Sequence, residues 1–415
     1  MADQPIIDSL LDVDFYKETM GQAIFHRHAT VPVQLAFLNR HSHVRLAECI
    51  DLSQLREHLE HLRSLKFTRQ ELEFLQSIRT SDKPMFKPDY IPFLQTFRLP
   101  EFHLDVRGGQ LEMEFFGPWP CVSRWETLAL QVVSQLYGEC QSRNFSDSGR
   151  AALWDEGDRR LDEKIKVIKR NPSITFSDFG TRRRLSRKWH EHVISRLAEE
   201  VPEQFRGTSN SLLSMKYKLT PMGTNAHELP MVYSAIYRDD DEREHCLVSS
   251  QRVLEDWEDE YGLGLSILLP DTFGSDYFFS QVVSPRMLET WKGSRHDSGP
   301  PKEYGDRRIQ MYESAGIDAV EKLIVFSDGL TAPRMDELER YFRGRIETTF
   351  GMGTNLTNDV GIDPISMVVK VAAANGLPVA KLSDNIAKSS GDPIEIERLK
   401  RLTGYAVTYS ETCRY

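Results

Sequence analysis

QFRGTSNSLLSMKYKLTPMGTNAHELPM, Gln204 to Met231, carries two short Gly-Thr turns, Gly207-Thr208 and Gly223-Thr224, each behind a β-favouring or mixed segment. Glycine at a strand end lets the backbone approach an anion, with bare N–H groups aimed at it. His227 stands just past the second turn. A histidine there can be a general base, a metal ligand or a nucleophile toward a phosphoryl group. It can equally be a hydrogen-bonded packing residue.

The same strand–turn–helix rhythm extends to both sides. ITFSDFG, ending at Gly180, precedes a helix over Leu185 to Val201. QFRGTSN precedes a helix over Ser211 to Lys218, and Met222 to Thr224 reads as a weaker strand end. A helix over Leu247 to Tyr261 leads to LGLSILLPDTFG, a buried strand, and a helix over Asp276 to Trp291. KGSRHDSG and KLIVFSDGL end two more strands, followed by helices over Tyr304 to Ala315 and Arg334 to Phe342. RIETTFGMGTNL is the last of the series. About seven such units predict a parallel sheet closing into an irregular α/β barrel.

The chain before this series reads differently. Asp12 to Phe25 is a predicted helix, and Val33, Leu35 and Phe37 alternate as in a half-buried strand. Leu55, Leu59, Leu62 and Leu65 recur at helical spacing, as do Leu72, Leu75 and Ile78. Phe102 to Val106 and Leu111 to Phe115 alternate around Gly108-Gly109, a hairpin pattern. Trp125 to Tyr137 is apolar nearly all round, a buried helix. After the series, Met367 to Ala373 and Leu377 to Leu382 flank Asn375-Gly376, a type I′ dipeptide. That hairpin is expected to return to the first sheet. The expected division is an α+β domain over 1–150, the barrel over 151–360, and a C-terminal return over 361–415, with the polar Gln141 to Gly157 as linker.

Composition narrows the function. Hydrophobic residues are 40% and charged residues 27% of the 415, ordinary for a globular chain with a sizeable core. A net charge of -10 disfavours nucleic acid or an acidic membrane surface as partner. The five cysteines, Cys49, Cys121, Cys140, Cys246 and Cys413, are scattered without a C-x-x-C. That fits a reducing compartment and no zinc site. The N-terminus lacks a basic region before an apolar run, and LGLSILLP is far too short to span a membrane. The expectation is a cytoplasmic protein.

Barrel sites lie at the carboxyl ends of the strands. Those ends hold Asp178-Phe179-Gly180 with Arg182, Gly207-Thr208-Ser209, Thr224 to His227, Asp271, Arg295 with Asp297-Ser298-Gly299, Asp328-Gly329, and Gly351 to Thr354. Gly351-Met352-Gly353-Thr354 is placed to cradle a phosphate. Asp297 and Asp328 suit ribose hydroxyls or Mg²⁺, or else cap the following helices. Arg295 is a natural fork for carboxylate or phosphate. In Arg182-Arg183-Arg184 with Arg187 and Lys188, Arg182 is the one placed to reach the mouth, and Arg184 and Lys188 read as a solvated face. Phe179 either stacks on a planar ring or packs in the core. No G-x-x-x-x-G-K-[ST] occurs.

Tyr16-Lys17, SDFGTRR (177–183), GTSN (207–210), GTNAHE (223–228), RHDSG (295–299), FSDGL (326–330), FGMGTNLTND (350–359) and KLSD (381–384) together resemble nicotinate phosphoribosyltransferase. The resemblance spans nearly the whole chain in order. It implies a type II phosphoribosyltransferase acting as a homodimer in NAD salvage. Nicotinate, phosphoribosyl pyrophosphate and ATP would give nicotinate mononucleotide, pyrophosphate, ADP and phosphate, with Mg²⁺ near Asp297 and Asp328 through the phosphates. By resemblance, ATP phosphorylates His227, and Glu228 is expected to orient it. Phe179 stacks on the nicotinate ring and Tyr16 covers its other face from the second subunit. Arg295 holds the carboxylate, Arg182 meets phosphates, and Asp297 and Asp328 hold the ribose. Thr208, Gly329, Gly351, Gly353 and Thr354 complete the substrate site. Ser209 replaces an aspartate of the nicotinamide-using relatives, a change of one charge that would admit a carboxylate. Alternatives are nicotinamide phosphoribosyltransferase, disfavoured by Ser209, the shorter quinolinate enzyme, and a catalytically silent NAD-metabolite-binding protein on the same fold.

Overall fold

The computed structural model describes residues 5–80, 83–238 and 242–412; Cys413 lies outside them. Two sheets organise the chain. The first is antiparallel: β1 (Pro32–Asn39), β2 (Phe102–Arg107) and β3 (Gln110–Pro118), joined late in the sequence by β10 (Met367–Ala374) and β11 (Leu377–Pro378). Its order is β11-β10-β1-β3-β2. Alternation set these strands: Val33, Leu35 and Phe37 on β1, and Leu111, Met113 and Phe115 on β3, all face the core. Gly108 and Gly109 turn the first hairpin at positive φ, and Asn375 and Gly376 turn the last at φ 51° and 79°, the backbone a type I′ turn needs. The return of the C-terminal hairpin to the first sheet is as expected, with β10 antiparallel to β1.

The second sheet is parallel and six-stranded: β4 (Phe176–Asp178), β5 (Phe205–Thr208), β6 (Ile267–Leu268), β7 (Gly293–His296), β8 (Leu323–Phe326) and β9 (Glu347–Met352). The order is β5-β4-β9-β8-β7-β6, so β5 and β6 end the ladder. This is the irregular parallel α/β architecture expected, beside a separate antiparallel sheet. The expected strand end at Met222 to Thr224 forms only a one-residue bridge, Pro221 to Thr208. Pro221 has no N–H to continue a ladder. Gly207, at φ 142°, lets this segment press in, since a Cβ there would fall 2.0 Å from Thr220 O.

Three further expectations are corrected. Gln141 to Gly157 is not a linker: a 24-residue helix begins at Asp147, capped by Ser146 Oγ accepting from Gly149 N. The helix expected over Asp276 to Trp291 is broken into Ser275–Tyr277, one π-helical turn over Phe278–Val282, and Pro285–Thr290. Pro285 forces that restart, with Ser284 as its cap. The first helix begins at Tyr16 rather than Asp12. Asp12 to Phe15 stays outside the helix, with Asp14 bridged to Asn210 and Asp12 paired with Arg184.

Arg184 is therefore no solvated residue. It is 1% exposed, and both its Nη atoms donate to the Asp12 carboxylate, at 2.9 and 2.7 Å. Lys188 is exposed as expected. The helix Trp125–Gln141 is buried on nearly every side, with Trp125 stacked on Phe115 and Ser134 Oγ donating to Arg184 O. It thus joins the two sheets, and residues at its start reach the space between them. Among the described residues, no helix is long and apolar enough to cross a membrane.

Candidate active site

A cavity of about 610 Å³ opens where the carboxyl ends of the parallel strands face the antiparallel sheet. It is large enough for several small substrates together. Register builds its centre. Phe326 on β8 pairs with His296 on β7, so the next residues, Asp297 and Ser327-Asp328, leave the sheet side by side. Ser327 Oγ donates to Asp297 Oδ1 at 3.1 Å.

His227 enters at the head of the helix Glu228–Ile236 and is 5% exposed. Its Nδ1 lies 2.8 Å from Thr272 Oγ1. Its Nε2 lies 2.9 Å from Asp297 Oδ2, 2.9 Å from Lys381 Nζ and 3.6 Å from Asp271 Oδ1. Burial, then the Lys381 charge, depress the imidazole to about 4 against the pull of Asp271 and Asp297, so it is neutral at physiological pH. Burial alone would raise Asp297, but Arg295, the His227 hydrogen bond and Lys381 hold it well below the usual carboxylate range.

Glu228 does not orient His227. Its carboxylate accepts from Lys17 Nζ at 2.6 Å and from Trp119 Nε1 at 2.7 Å, tying the helix to the first domain. Thr272, Asp297 and Lys381 do the orienting instead.

Toward the other end stand Phe179, Tyr16, Arg182, Arg295 and Ser209, all on the cavity wall. Tyr16 and Phe179 of one chain both line this cavity. Tyr16 OH donates to Glu126 Oε2 at 3.1 Å, and the Arg182 guanidinium lies 5.8 Å from its ring centroid. Arg182 is itself held between Asp14 and Glu126, each at 3.2 Å. Arg295 Nη1 donates to Asn225 O at 3.2 Å, its Nη2 lies 3.8 Å from Asp297 Oδ1, and the residue lines the cavity.

The phosphate-cradle expectation divides. Gly353 and Thr354 line the cavity, and Asn355 Nδ2 donates to Leu330 O, tying this turn to the Asp328-Gly329 loop beside it. Gly351 does not line it. A Cβ at Gly351 would sit 2.2 Å from Phe179 Cδ2, so this glycine makes room for the ring. Thr208 is also turned away: it is fully buried, donating to Asp178 Oδ2 at 2.6 Å. Asp178 in turn holds His190, so that strand end is structural.

Sequence reasoning gave no role to three lysines from the C-terminal return, Lys381 having entered only as part of KLSD. Lys381 sits against His227 and Asp271. Lys388 donates to Asp297 O at 2.7 Å and to Asp328 Oδ1. Lys370 lines the wall from β10, and burial depresses it to about 7 despite Glu126. A lone lysine inside MVVKVAAA was the available signal. Glu126 and Asp14 were missed as well. Burial would raise Glu126, but Lys17, Arg182 and Lys370 hold it ionised.

This concentration of cations against a net charge of -10 suits an anionic substrate. A divalent cation also has candidate ligands: His227, Asp271 and Asp297 offer atoms within 4.8 Å of one another, and Asp271 Oδ1 has no hydrogen-bond partner.

The chain matches the model of the nicotinate phosphoribosyltransferase family over residues 174–405, and that of the family's N-terminal domain over 11–134. It is similar to the solved nicotinate phosphoribosyltransferase of Porphyromonas gingivalis, at 31% identity and a TM-score of 0.85, covering 96% of this chain and 100% of that one. The Vibrio cholerae structure of the same description matches at 32% and 0.85, covering 97% and 95%. A Saccharomyces cerevisiae chain matches at 28% and 0.83, covering 98% and 100%.

Proposed function

The chain belongs to the nicotinate phosphoribosyltransferase family, and from that premise we propose that its cavity transfers phosphoribosyl from phosphoribosyl pyrophosphate to nicotinate, coupled to ATP hydrolysis through His227. The observation that carries the reading is one cavity lined by Phe179, Tyr16, Asp297, Asp328 and His227 together.

Nicotinate lies between Phe179 and Tyr16, with its carboxylate toward Arg295 and Ser209. Asp328, Gly329 and Asp297 take the ribose, and Gly353 and Thr354 the 5′-phosphate. The ring nitrogen forms its bond to the anomeric carbon as the carbon–oxygen bond to diphosphate breaks, its electron pair leaving with the diphosphate. Positive charge develops on the sugar, and the ionised Asp297 stabilises it. Arg182 and the ammonium groups of Lys381 and Lys388 meet the leaving anion.

His227 is kept neutral, as a nucleophile must be. The neutral ring has two tautomers: with its proton on Nε2 it donates to Asp297, and with its proton on Nδ1 it donates to Thr272 and leaves the Nε2 lone pair to take the phosphoryl group. Phosphorylation puts close to two negative charges beside Asp271 and Asp297. That repulsion reorganises Lys381 and the bound diphosphate, which is how ATP hydrolysis couples to product release.

Mg²⁺ belongs to the reading, and Asp297 and Asp271, with phosphate oxygens, would hold it. When bound, it would neutralise charge on the leaving diphosphate. The reading includes the ATP-dependent, ligase-type classification, a cytoplasmic place in NAD salvage, and a homodimer with Tyr16 covering the ring from the second subunit.

The test is mononucleotide formation from nicotinate and phosphoribosyl pyrophosphate, with and without ATP, alongside assay of acid-labile phosphate on the protein. ATP should stimulate turnover and label His227. A rate indifferent to ATP, with no label, contradicts the coupling.

A further inference from the structure

Ser209 is fixed on both sides by its backbone. Its N–H donates to Asp178 O at 2.7 Å, and its carbonyl accepts from Phe15 N at 2.6 Å. The direction of its hydroxyl is set by its side-chain partners. In the structure Ser209 Oγ donates to Asp14 Oδ1 at 2.6 Å, with Thr181 Oγ1 at 3.4 Å. A hydroxyl carries one hydrogen. With that hydrogen spent on Asp14, Ser209 presents only lone pairs to the cavity. Lone pairs suit an amide N–H₂ and repel a carboxylate. As it stands, the residue that should admit nicotinate is oriented to reject it.

Asp14 itself is 2% exposed and lines the same cavity. Its Oδ2 has no hydrogen bond, although Arg182 Nε is 3.2 Å away. The charged and titratable groups facing it are Arg182 from the turn Thr181–Arg183, Glu126 from the start of the helix Trp125–Gln141, and Tyr16 on its own helix. Arg182 is shared with Glu126 and so does not neutralise Asp14 alone. Burial raises the Asp14 carboxyl, outweighing Arg182 and the Ser209 hydrogen bond, with Glu126 adding to the rise.

Resting on the nicotinate reading above, we infer that Asp14 is a proton-carrying specificity residue: nicotinate binds with Asp14 protonated, Asp14 donates to Ser209 Oγ, and Ser209 donates to the ring carboxylate. The proton comes from solvent on binding and returns to it on release. The substrate's negative charge is thereby balanced by one proton, and the buried pair changes from an acceptor facing the cavity to a donor. Nicotinamide needs no such change, because its amide donates to Ser209 with Asp14 ionised. Discrimination in favour of nicotinate then weakens as pH rises, by about tenfold per unit once Asp14 is ionised in the free protein.

The experiment is calorimetric binding of nicotinate to the full chain in two buffers of different ionisation enthalpy, near neutral pH. The proposal requires uptake of about one proton per nicotinate bound, and none for nicotinamide. Asp14→Asn, which cannot change its proton count, should abolish the uptake and flatten the pH dependence of nicotinate affinity. Nicotinate binding without proton uptake by the unaltered chain overturns the proposal, and does so whether or not the variant folds. Uptake that persists in Asp14→Asn overturns it too. Failure to bind nicotinate at any pH overturns the reading of the cavity itself, and the proton relay with it.

Discussion

Lys381 Nζ lies 2.9 Å from His227 Nε2 and 3.1 Å from Asp271 Oδ2, both side chains being nearly inaccessible to solvent. The two residues come from opposite ends of the fold's second half, one from a loop beside the parallel sheet and one from the C-terminal return. The ammonium faces the imidazole atom to which the account assigns the phosphoryl group. It also separates two carboxylates that would otherwise repel a phosphate.

Lys381→Met should therefore depress ATP-stimulated turnover by about a hundredfold or more, the range seen when a preorganised charge is removed from a site. The ATP-independent rate should fall less. Steady-state rates with and without ATP measure both. Equal loss of the two would assign Lys381 to the ring-transfer step alone.

Gly351 and Phe179 make a packing prediction. Gly351→Ala puts a methyl 2.2 Å from the ring atom Cδ2. The ring must move, at a cost of about 1–3 kcal/mol in stability. Because Phe179 forms part of the nicotinate platform, the KM for nicotinate should rise about tenfold, while the KM for phosphoribosyl pyrophosphate changes little. Thermal unfolding and substrate titrations check the two halves. Parallel rises in both KM values would show the damage is not confined to the ring.

The buried Asp12–Arg184 pair predicts an acid limit. Burial opposes ionisation of Asp12, but Arg184 and the hydrogen bond from Asn210 hold its carboxyl below the usual range. The folded state thus ionises at lower pH than the unfolded chain. Its contribution is full above about pH 4 and is lost as pH falls through the folded value. Arg184→Ala strands the carboxylate and should cost about 3–5 kcal/mol near neutrality. That deficit should shrink on acidification, as read by denaturant midpoints across pH. A deficit constant with pH would mean lost packing alone.

Ser209→Asp should move substrate preference toward nicotinamide. The new carboxylate stands beside Asp14 and faces the position of the ring carboxylate. Nicotinate affinity should fall about a hundredfold, since a like charge is placed against it in a buried site. Competition between the two substrates reads the shift directly.

The parallel strands were legible because each combined an apolar run with a glycine or aspartate at its end. Their ends converge by register, which is why Asp297, Asp328 and Thr354 could be placed together before any geometry was known. Side-chain allegiance was not legible. Nothing near Glu228 in the chain announces Lys17 and Trp119, and nothing near Arg184 announces Asp12; both ties cross more than a hundred residues. Thr208 and Gly351 sit at the right strand end but on the wrong side of it, a distinction that period-two patterning cannot make for residues leaving a strand. Lys370 reaches the site on the strand that pairs with β1, and Lys381 and Lys388 follow that hairpin in the chain, so their approach depends on long-range topology. Tyr16 was expected to act from a second chain; it also lines the cavity of its own, held there by the segment Asp12 to Phe15, which Arg184 and Ser209 pin.

The central claim is that this cavity prefers a pyridine bearing a carboxylate. The most direct measurement is the ratio of kcat/KM for nicotinate to that for nicotinamide, at saturating phosphoribosyl pyrophosphate and ATP near neutral pH. The account predicts mononucleotide from nicotinate at least about a hundredfold more efficiently, a gap of about 2.7 kcal/mol. Equal efficiency, or a preference for nicotinamide, would contradict it.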